Sequence, residues 1–214
     1  MRPRILDLFC GAGGAAKGYQ RAGFYVVGVD IKPQPHYCGD EFVQADVMSV
    51  PWKALGRRFD AIHASPPCQA YSTMKSLKHT KVHPDLVPLV RDKLIESGLP
   101  WIMENVPGAP LRTMIQLCGS MFDLRSTGER YLRRHRNFES SIVILQPECR
   151  HKGKAVGVYG HGQAGLLGQR MRTAKAPEAR ILMGMDWATR DGMSQAIPPA
   201  YTEFIGKQLM EHLA

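Results

Sequence analysis

The stretch Arg4-Ile5-Leu6-Asp7-Leu8-Phe9-Cys10-Gly11-Ala12-Gly13-Gly14 decides the fold of this chain. Its apolar part, Arg4 to Phe9, predicts a buried strand, and the glycines that follow predict a tight loop before a helix over Ala15 to Arg21. A strand, a glycine loop and a helix in this order are typical of the cofactor-binding start of Rossmann-like folds. The pattern Gly11-x-Gly13-x-x-Ala16 also fits a nicotinamide-dependent dehydrogenase, and a plain helix-capping turn is the simplest alternative.

An acidic residue stands at the end of each of the next two predicted strands. The first strand runs from Tyr25 to Asp30, and Asp30 lies 19 residues after Gly11. This is the spacing at which a carboxylate reaches the ribose hydroxyls of a nucleotide. The second strand, Phe42 to Ala45, leads into Asp46. This acid could accept a hydrogen bond from an adenine amino group, or it could cap the next turn.

One thiol follows a further buried strand, Phe59 to Ala64, on the corner Ser65-Pro66-Pro67-Cys68. The two prolines fix φ and remove two backbone donors, so the corner holds Cys68 at the carboxyl end of the strand, where open α/β sheets bind ligands. A positioned thiol suits nucleophilic catalysis, and a buried inert cysteine is the alternative. The strand Trp101 to Met103 brings Glu104 to the same edge, as a catalytic acid or as a structural hydrogen-bonding group.

Two segments are basic and contain no acid. The loop before Pro84 carries Lys75, Lys78 and Lys81, and residues 150–175 combine six lysines and arginines with six glycines. Such composition does not form a core, so the loop is solvated, either idle or in contact with phosphates. For residues 150–175 we expect a flexible basic flap laid on a phosphate backbone.

A third basic run contains Arg134 and Arg136. In an extended chain these two side chains point to one face and could hold one anionic or polarised group together; a solvated charged face is the alternative. We expect the run to lead into a strand over Ile142 to Leu145. Helices are predicted over Asp85 to Ser97, Pro177 to Met183 and Ala200 to Leu213.

The bulk composition fits one α/β domain. The chain has 214 residues, 44% of them hydrophobic and 22% charged, and its net charge of +9 favours a polyanionic partner. Apolar runs are too short for a membrane span, and the chain enters its first strand without a signal peptide, so we expect a cytoplasmic location. Five scattered cysteines do not resemble a disulfide framework. Cys149-Arg150-His151, with His161 downstream, lacks a paired-cysteine pattern, and we predict no metal site.

Five segments occur in a characteristic order: Asp7-Leu8-Phe9-Cys10-Gly11-Ala12-Gly13-Gly14, Pro66-Pro67-Cys68-Gln69, Glu104-Asn105-Val106, Arg134-x-Arg136 and Ser194-Gln195-Ala196-Ile197-Pro198-Pro199. Together they resemble the DNA cytosine-5 methyltransferases that use S-adenosylmethionine. The chain departs from the family at Ser194-Gln195, where relatives usually show Gly-Asn, and at Leu132, where they often carry glutamine. Only 41 residues separate Arg136 from Glu178. Relatives place a sizeable target-recognition domain there, so we expect short or loose selectivity.

The resemblance implies a Rossmann-like α/β methyltransferase with a mostly parallel central sheet flanked by helices, and a small basic insertion in place of a full target-recognition domain. It divides the chain into a catalytic core (1–145), a DNA-contacting segment (146–175) and completing helices (176–214). The implied catalytic residues are Cys68, Glu104, Arg134 and Arg136. The implied S-adenosylmethionine contacts are Asp7, Phe9, Gly11, Gly13, Asp30, Asp46, Pro67, Ser194 and Gln195. The expected DNA contacts are Gln69, Ser72, Lys75, Lys78, Lys81, Arg170 and Arg172.

The implied activity is methyl transfer from S-adenosylmethionine to C5 of cytosine in double-stranded DNA, through a covalent bond between Cys68 and C6 of a flipped base. A cytosine-5 methyltransferase that acts on RNA would use the same residues. A non-catalytic DNA-binding module would bind without thiol chemistry, and a nicotinamide-dependent oxidoreductase leaves Pro-Pro-Cys-Gln and Glu-Asn-Val unexplained. We expect a monomer in a bacterial cell or a phage-infected host.

Overall fold

The structure, a computed structural model, describes residues 1–68, 71, 85–126, 130–159, 165–166 and 169–214. Of residues 165–166 and 169–170 it describes the backbone alone. Within these ranges, every helix is too short or too polar to cross a membrane.

The described strands are β1 (Arg4–Leu8), β2 (Tyr25–Asp30), β3 (Glu41–Gln44), β4 (Ala61–Ala64), β5 (Trp101–Asn105), β6 (Ile115–Leu117), β7 (Arg125–Ser126), β8 (Arg130–Leu132), β9 (Arg136–Ser140), β10 (Lys154–Gly157), β11 (Gly165–Leu166), β12 (Gln169–Arg170) and β13 (Arg172–Thr173). The described α-helices are α1 (Gly14–Ala22), α2 (Val87–Ser97), α3 (Ala176–Met183), α4 (Arg190–Gln195) and α5 (Pro199–Leu213).

The main sheet has seven strands in the order β3-β2-β1-β4-β5-β9-β6. The first five in this order are parallel, and β9 runs antiparallel to both of its neighbours. The strand order reverses between β1 and β4, which is where ligands bind in open α/β sheets. The glycine loop follows β1 and the Cys68 corner follows β4, so the fold brings both to this point. The predicted mostly parallel α/β architecture is confirmed.

Apolar side chains cover both faces of the main sheet. On one face, residues such as Leu8 and Trp52 pack with Leu94 of α2. On the other, Tyr19 of α1 packs with Tyr201 and others from α5. The helices α1 and α5 approach closely because Gly18 has no side chain: a Cβ there would lie 2.2 Å from Pro199 O. The carboxyl-terminal helix therefore completes the layer that begins at the glycine loop.

A second sheet of four strands, in the order β13-β10-β8-β7, lies beside the main sheet. It has its own apolar cluster, in which Leu132 and Val156 pack against Leu182 and Met193 of helices α3 and α4. The strands β11 and β12 form a separate antiparallel pair. The predicted division of the chain at residues 145 and 175 stays a prediction, although β10 of the middle segment pairs with β8 of the first.

The predicted strand over Ile142 to Leu145 is wrong. The strand is β9, a few residues earlier, because Phe138 and its neighbours pair with both β5 and β6. Val143 and Leu145 are 87% and 74% exposed, and the backbone of Leu145 bonds instead to the side-chain amide of Gln208 (2.9 and 3.1 Å). A short apolar run does not form a strand where the ladder positions are already taken. Helix α4 was not predicted.

Candidate active site

The thiol of Cys68 lies on a corner that neighbouring strands hold in place. The backbone N–H of Ser65 donates to Leu8 O at the end of β1 (3.1 Å), and the side-chain amide of Asn105 on β5 donates to Pro66 O (3.0 Å). Pro66 is buried and Cys68 is half-buried. The corner therefore holds the sulfur near the carboxyl ends of three parallel strands.

Glu104 and Arg136 form a shielded ion pair beside this corner. Arg136 Nε lies 3.1 Å from Glu104 Oε1, and the two side chains are 13% and 9% exposed. Burial raises the pKa of Glu104, and the charge of Arg136 and the Ser65 hydroxyl act in the opposite direction. Burial also raises the pKa of the Cys68 thiol; Arg136 lowers it and Glu104 reinforces the rise. The thiol, the acid and the cation thus act on one another within one site.

Arg134 binds backbone carbonyl groups of its own chain, and not the anionic or polarised group that the sequence predicts. Its side chain is 1% exposed, and it donates to the carbonyl groups of Ser194 (2.7 Å), Ala196 (2.7 and 3.1 Å) and Val158. Tyr201 donates its hydroxyl to Arg134 O (2.6 Å). Arg134 and Arg136 therefore do not point at one group, as the extended pattern suggested: Arg134 fastens the segment after α4, and Arg136 reaches Glu104.

A buried polar chain that the sequence analysis did not identify leads to the Cys68 corner. His63 on β4 is fully buried, with the Tyr19 hydroxyl 3.0 Å from Nδ1 and the Ser65 hydroxyl 3.0 Å from Nε2. Burial lowers the pKa of His63 to about 3, so the imidazole is neutral and offers one donor and one acceptor. In the sequence, the one signal of these buried hydrogen bonds is a histidine inside an apolar strand.

The glycine loop combines an uncommon backbone geometry with open space. Phe9, Gly11 and Gly13 all have positive φ values, of 59°, 49° and 84°. Asp30 accepts hydrogen bonds from the backbone N–H groups of Gly11 (3.1 Å) and Lys32 (2.9 Å), which ties the loop to the end of β2. A Cβ added at Gly11 would meet no described atom within 4 Å. The loop therefore leaves room for a ligand to approach its backbone.

Two buried polar groups lie beside the glycine loop without partners. Asp7 on β1 is fully buried, and neither of its carboxylate oxygens has a hydrogen-bond partner among the described residues; the same holds for the Tyr37 hydroxyl. Burial, reinforced by the charge of Asp30, raises the pKa of Asp7 to about 8. Buried polar atoms without partners are rare in folded proteins, and here they mark the neighbourhood of the loop as unusual.

The carboxyl-terminal segment reaches the same loop. Trp187 Nε1 donates to Ala12 O (2.9 Å), and a Cβ at Gly14 would lie 2.4 Å from Ile197 O. Ser194 and Gln195, the last residues of α4, precede this contact directly. The fold thus brings together residues almost two hundred positions apart, as the predicted cofactor contacts require.

A family model described as C-5 cytosine-specific DNA methylase matches residues 3–110, half of the chain. The chain belongs to this family. The matched range contains the glycine loop, the Cys68 corner and Glu104, whereas Arg134 and Arg136 lie beyond it.

Known proteins resemble this chain in sequence or fold. The Type II methyltransferase M1.HphI of Haemophilus parahaemolyticus is 31% identical over 118 residues, which are 47% of this chain and about a third (32%) of that relative. A protein described as a DNA modification methyltransferase encoded within a prophage (E. coli) has a TM-score of 0.61 at 15% identity, with 98% of this chain and 99% of that chain covered. The S. pombe Dnmt2 methyltransferase has a TM-score of 0.62 at 12% identity, over 100% and 99%. These two likenesses establish a methyltransferase fold.

The remaining residues that the sequence predicts as contacts lie in varied surroundings. Asp46 is exposed and accepts from the backbone N–H of Met48 (2.9 Å), so it caps a 3-10 turn, and Pro67 is exposed on the corner. Arg172 pairs with Glu178. Six predicted residues lie outside the described part: Gln69, Ser72, Lys75, Lys78, Lys81 and His161. The backbone of Arg170 is described within β12, and its side chain is not.

Proposed function

We propose that this cytosine methylase transfers a methyl group from S-adenosylmethionine to C5 of cytosine in double-stranded DNA, through a covalent bond between Cys68 and C6 of the base. The observation that carries the proposal is the shielded ion pair of Glu104 with Arg136 (3.1 Å) beside the Cys68 corner. A nucleophile, an acid and a cation are the groups that activate a pyrimidine ring. The glycine loop supports a cofactor next to them.

Cys68 supplies the nucleophile. C5 of cytosine is too weak a nucleophile to take a methyl group unaided, and addition of a thiolate at C6 raises the electron density at C5. Burial raises the pKa of Cys68, so the free enzyme holds mostly the thiol near neutral pH. The positive charge of Arg136 counteracts this effect and stabilises the thiolate that attacks. After C5 is methylated and loses its proton, elimination breaks the Cys68–C6 bond and restores the ring.

Glu104 acts as the general acid at N3 of the base. Attack at C6 places negative charge on the ring, and a carboxylic acid that donates at N3 neutralises it. Burial raises the pKa of Glu104, which favours the protonated form that can donate. Arg136 holds the carboxyl group in place through Nε and donates from Nη1 to His135 O (2.8 Å), so Nη2 would donate to the carbonyl oxygen of the base. Such acid assistance contributes about 10²–10⁴-fold.

Arg134 is a positioning residue in this proposal. Its hydrogen bonds to the carbonyl groups of Ser194 and Ala196 hold the segment that packs on the glycine loop. One residue separates Arg134 from Arg136. The same stretch of chain therefore holds the segment next to the glycine loop through Arg134 and the proposed acid, Glu104, through Arg136.

The residues around the glycine loop fit S-adenosylmethionine. Asp30, whose two backbone hydrogen bonds leave lone pairs free, would hold the ribose hydroxyls; the other proposed contacts are Phe9, Gly11, Gly13, Asp46, Pro67, Ser194 and Gln195. The carboxylate of Asp30 favours a positively charged ligand here, and the unpartnered carboxyl of Asp7 offers a further polar contact. The bound cofactor supplies an electrophilic methyl group on a sulfonium ion.

The DNA partner is supported by charge. The chain carries a net charge of +9, and Lys75, Lys78 and Lys81 follow the catalytic corner in sequence. Lysines near the corner would neutralise phosphates on either side of a flipped cytosine. Residues 146–175, with Arg170 and Arg172, would follow the backbone further along, and Arg172 would have to exchange its pairing with Glu178 for a phosphate.

The test combines methyl transfer with covalent trapping. Protein and labelled S-adenosylmethionine are incubated with a mixed-sequence duplex, with wild type beside Cys68→Ser, and modified bases are mapped. We expect label at cytosine C5 with wild type, and a loss of at least about 10⁴-fold with the variant. A duplex with 5-fluorocytosine should form a stable protein–DNA adduct with wild type alone, because fluorine cannot leave as the C5 proton does. A duplex with 5-methylcytosine is the matched control and should take no label.

Each contrary outcome has a defined meaning. Label on transfer RNA but not on the duplex would assign the same chemistry to RNA. Duplex binding without label or adduct, in protein that binds S-adenosylmethionine, would favour a non-catalytic DNA-binding module. Label that persists in Cys68→Ser would overturn the covalent mechanism.

A further inference from the structure

Four side chains with metal-binding atoms converge at one point outside the active site: Cys118, His135, Cys149 and His151. Their ligand atoms all lie within 4.8 Å of one another. They come from three separate parts of the chain, namely the end of β6, the link between β8 and β9, and the stretch before β10. We propose that this cluster binds one structural zinc ion, in place of the metal-free protein that the sequence predicts.

The distances within the cluster match a tetrahedral zinc site. With Zn–S near 2.3 Å and Zn–N near 2.0–2.1 Å, the edge between a sulfur and a nitrogen ligand is about 3.5 Å. Cys118 Sγ lies 3.5 Å from His151 Nε2, and Cys149 Sγ lies 3.6 Å from His135 Nε2. A third sulfur–nitrogen contact, from Cys149 to His151, is shorter at 2.9 Å, and both of these side chains are exposed.

The chemistry of the donors selects the metal. Two thiols and two imidazoles, without a carboxylate, form a soft donor set that suits zinc and does not suit Mg²⁺ or Ca²⁺. Four protein ligands fill a tetrahedron and leave no position for water or substrate. The site is therefore structural, since a catalytic zinc keeps one position open.

The surroundings of the cluster are those of a site that fastens a loop. Cys118 is fully buried, whereas Cys149 and His151 lie on an exposed stretch, residues 141–153, that contains no helix or strand. The ring of His151 stacks on Tyr131 with centroids 5.7 Å apart, and it meets the ring of His135 edge to face at 5.0 Å. These contacts orient both imidazoles before a metal binds. Zinc would join the exposed stretch to the buried end of β6.

His135 gives the metal a connection to the active site, because it lies between Arg134 and Arg136. A zinc ion on His135 would fix the backbone from which Arg136 reaches Glu104 and Arg134 reaches the segment after α4. The metal site itself does not depend on the substrate or on the proposed reaction, so its test needs no DNA.

The experiment measures metal content in protein purified without a histidine tag. Elemental analysis should find about one zinc per chain in wild type. We expect the content to fall below about one tenth of that in Cys149→Ser and in His151→Ala, since both remove a ligand on the exposed stretch. Cys38→Ser and Cys68→Ser, which remove thiols outside the cluster, should keep the metal. Replacement of zinc by Co²⁺ in wild type should produce the intense visible and thiolate charge-transfer bands of tetrahedral cobalt.

Two results would overturn the proposal. The first is wild-type protein that contains no zinc after growth with zinc and takes up Co²⁺ without charge-transfer bands. The second is a disulfide between Cys118 and Cys149, which would leave three titratable thiols out of five in unfolded protein. Both measurements use wild type, so a variant that fails to fold does not weaken the test.

Discussion

The two sides of the active site are built in different ways. The glycine loop, the Cys68 corner and Glu104 follow parallel strands, and the pairing of β1, β4 and β5 brings them to one edge. Arg134 and Arg136 instead flank the start of the antiparallel strand β9, and side-chain contacts hold them: an ion pair with Glu104 and three backbone carbonyl groups. Regular strand pairing therefore positions Cys68 and Glu104, whereas the positions of Arg134 and Arg136 depend on individual polar contacts.

Apart from removal of the Cys68 thiol, the largest expected effect comes from Glu104, the group that joins the two sides. Glu104→Gln should lower the rate of methyl transfer by about 10²–10⁴-fold, because an amide cannot give a proton to N3 of the base. Single-turnover rates with saturating cofactor measure the effect, and cofactor affinity should be unchanged. Glu203→Gln, which alters a half-buried acid on α5 that pairs with Lys207, is the control and should leave the rate unaffected.

The pH dependence sharpens this prediction. The reactive form carries a thiolate and a protonated acid, while burial raises the pKa of both Cys68 and Glu104. In wild type the rate should therefore fall at low pH, where Cys68 is protonated as well as Glu104. It should fall again at high pH, where Glu104 has no proton to give. In Glu104→Gln the alkaline fall should vanish, and the rate should rise with pH until Cys68 is ionised. An alkaline fall that persists in the variant would exclude Glu104 as the acid.

A smaller effect is expected from Arg134, which binds backbone carbonyl groups. Arg134→Met keeps much of the side-chain volume but leaves the carbonyl groups of Ser194, Ala196 and Val158 without their donor. We expect a loss of about 3–5 kcal/mol in the free energy of unfolding and weaker S-adenosylmethionine binding. Urea unfolding and cofactor titration measure the two effects. Lys207→Met removes an exposed ion pair with Glu203 (2.9 Å) and should cost less than about 1 kcal/mol. Equal losses in the two variants would contradict the special role of Arg134.

The last expected effect is on the free energy of unfolding. It comes from Asp7 on β1, on the side of the site that the parallel strands form. The pKa of Asp7 is about 8 in the folded protein against an ordinary 3.8, so the native state binds a proton that the unfolded chain releases between these values. The contribution of Asp7 to the free energy of unfolding should therefore decrease as pH rises from about 4 to 8. Asp7→Asn removes this dependence and should stabilise the cofactor-free protein at pH 8, with little effect at pH 4. Urea unfolding at both pH values measures the difference; a variant that is less stable at pH 8 would refute the assignment.

His63 affects the pH dependence of the free energy of unfolding at acidic pH. Its pKa falls from 6.5 to about 3 on folding, so the unfolded chain binds a proton that the folded protein refuses below pH 6.5. The contribution of His63 to stability should decrease as the pH falls from 6.5 towards 3, so in wild type the contributions of His63 and Asp7 oppose each other between about pH 4 and 6.5. This trend should persist in Asp7→Asn, which separates the two groups.

Much of the strand side could be predicted from local pattern. The strands β1, β2 and β4 and the helix α1 were predicted to within two residues, because apolar runs bounded by glycine and proline encode them directly. The strand-end positions of Cys68 and Glu104 follow from the same runs. The side with the arginines was predicted less well: the strand was expected at 142–145, helix α4 was missed, and Arg134 was expected to face the base.

The sequence by itself determined the order of the first strands and helices, and that Cys68, Asp30 and Glu104 stand at or after the carboxyl ends of strands. Short-range spacing decides these features, since each depends on residues within one strand and one turn. Only the tertiary structure decided that Arg134 binds carbonyl groups sixty residues away, that Arg136 meets Glu104, and that Cys118, His135, Cys149 and His151 meet at one point. Contacts between distant segments arise from the packing of whole layers, and no local period in the chain records them.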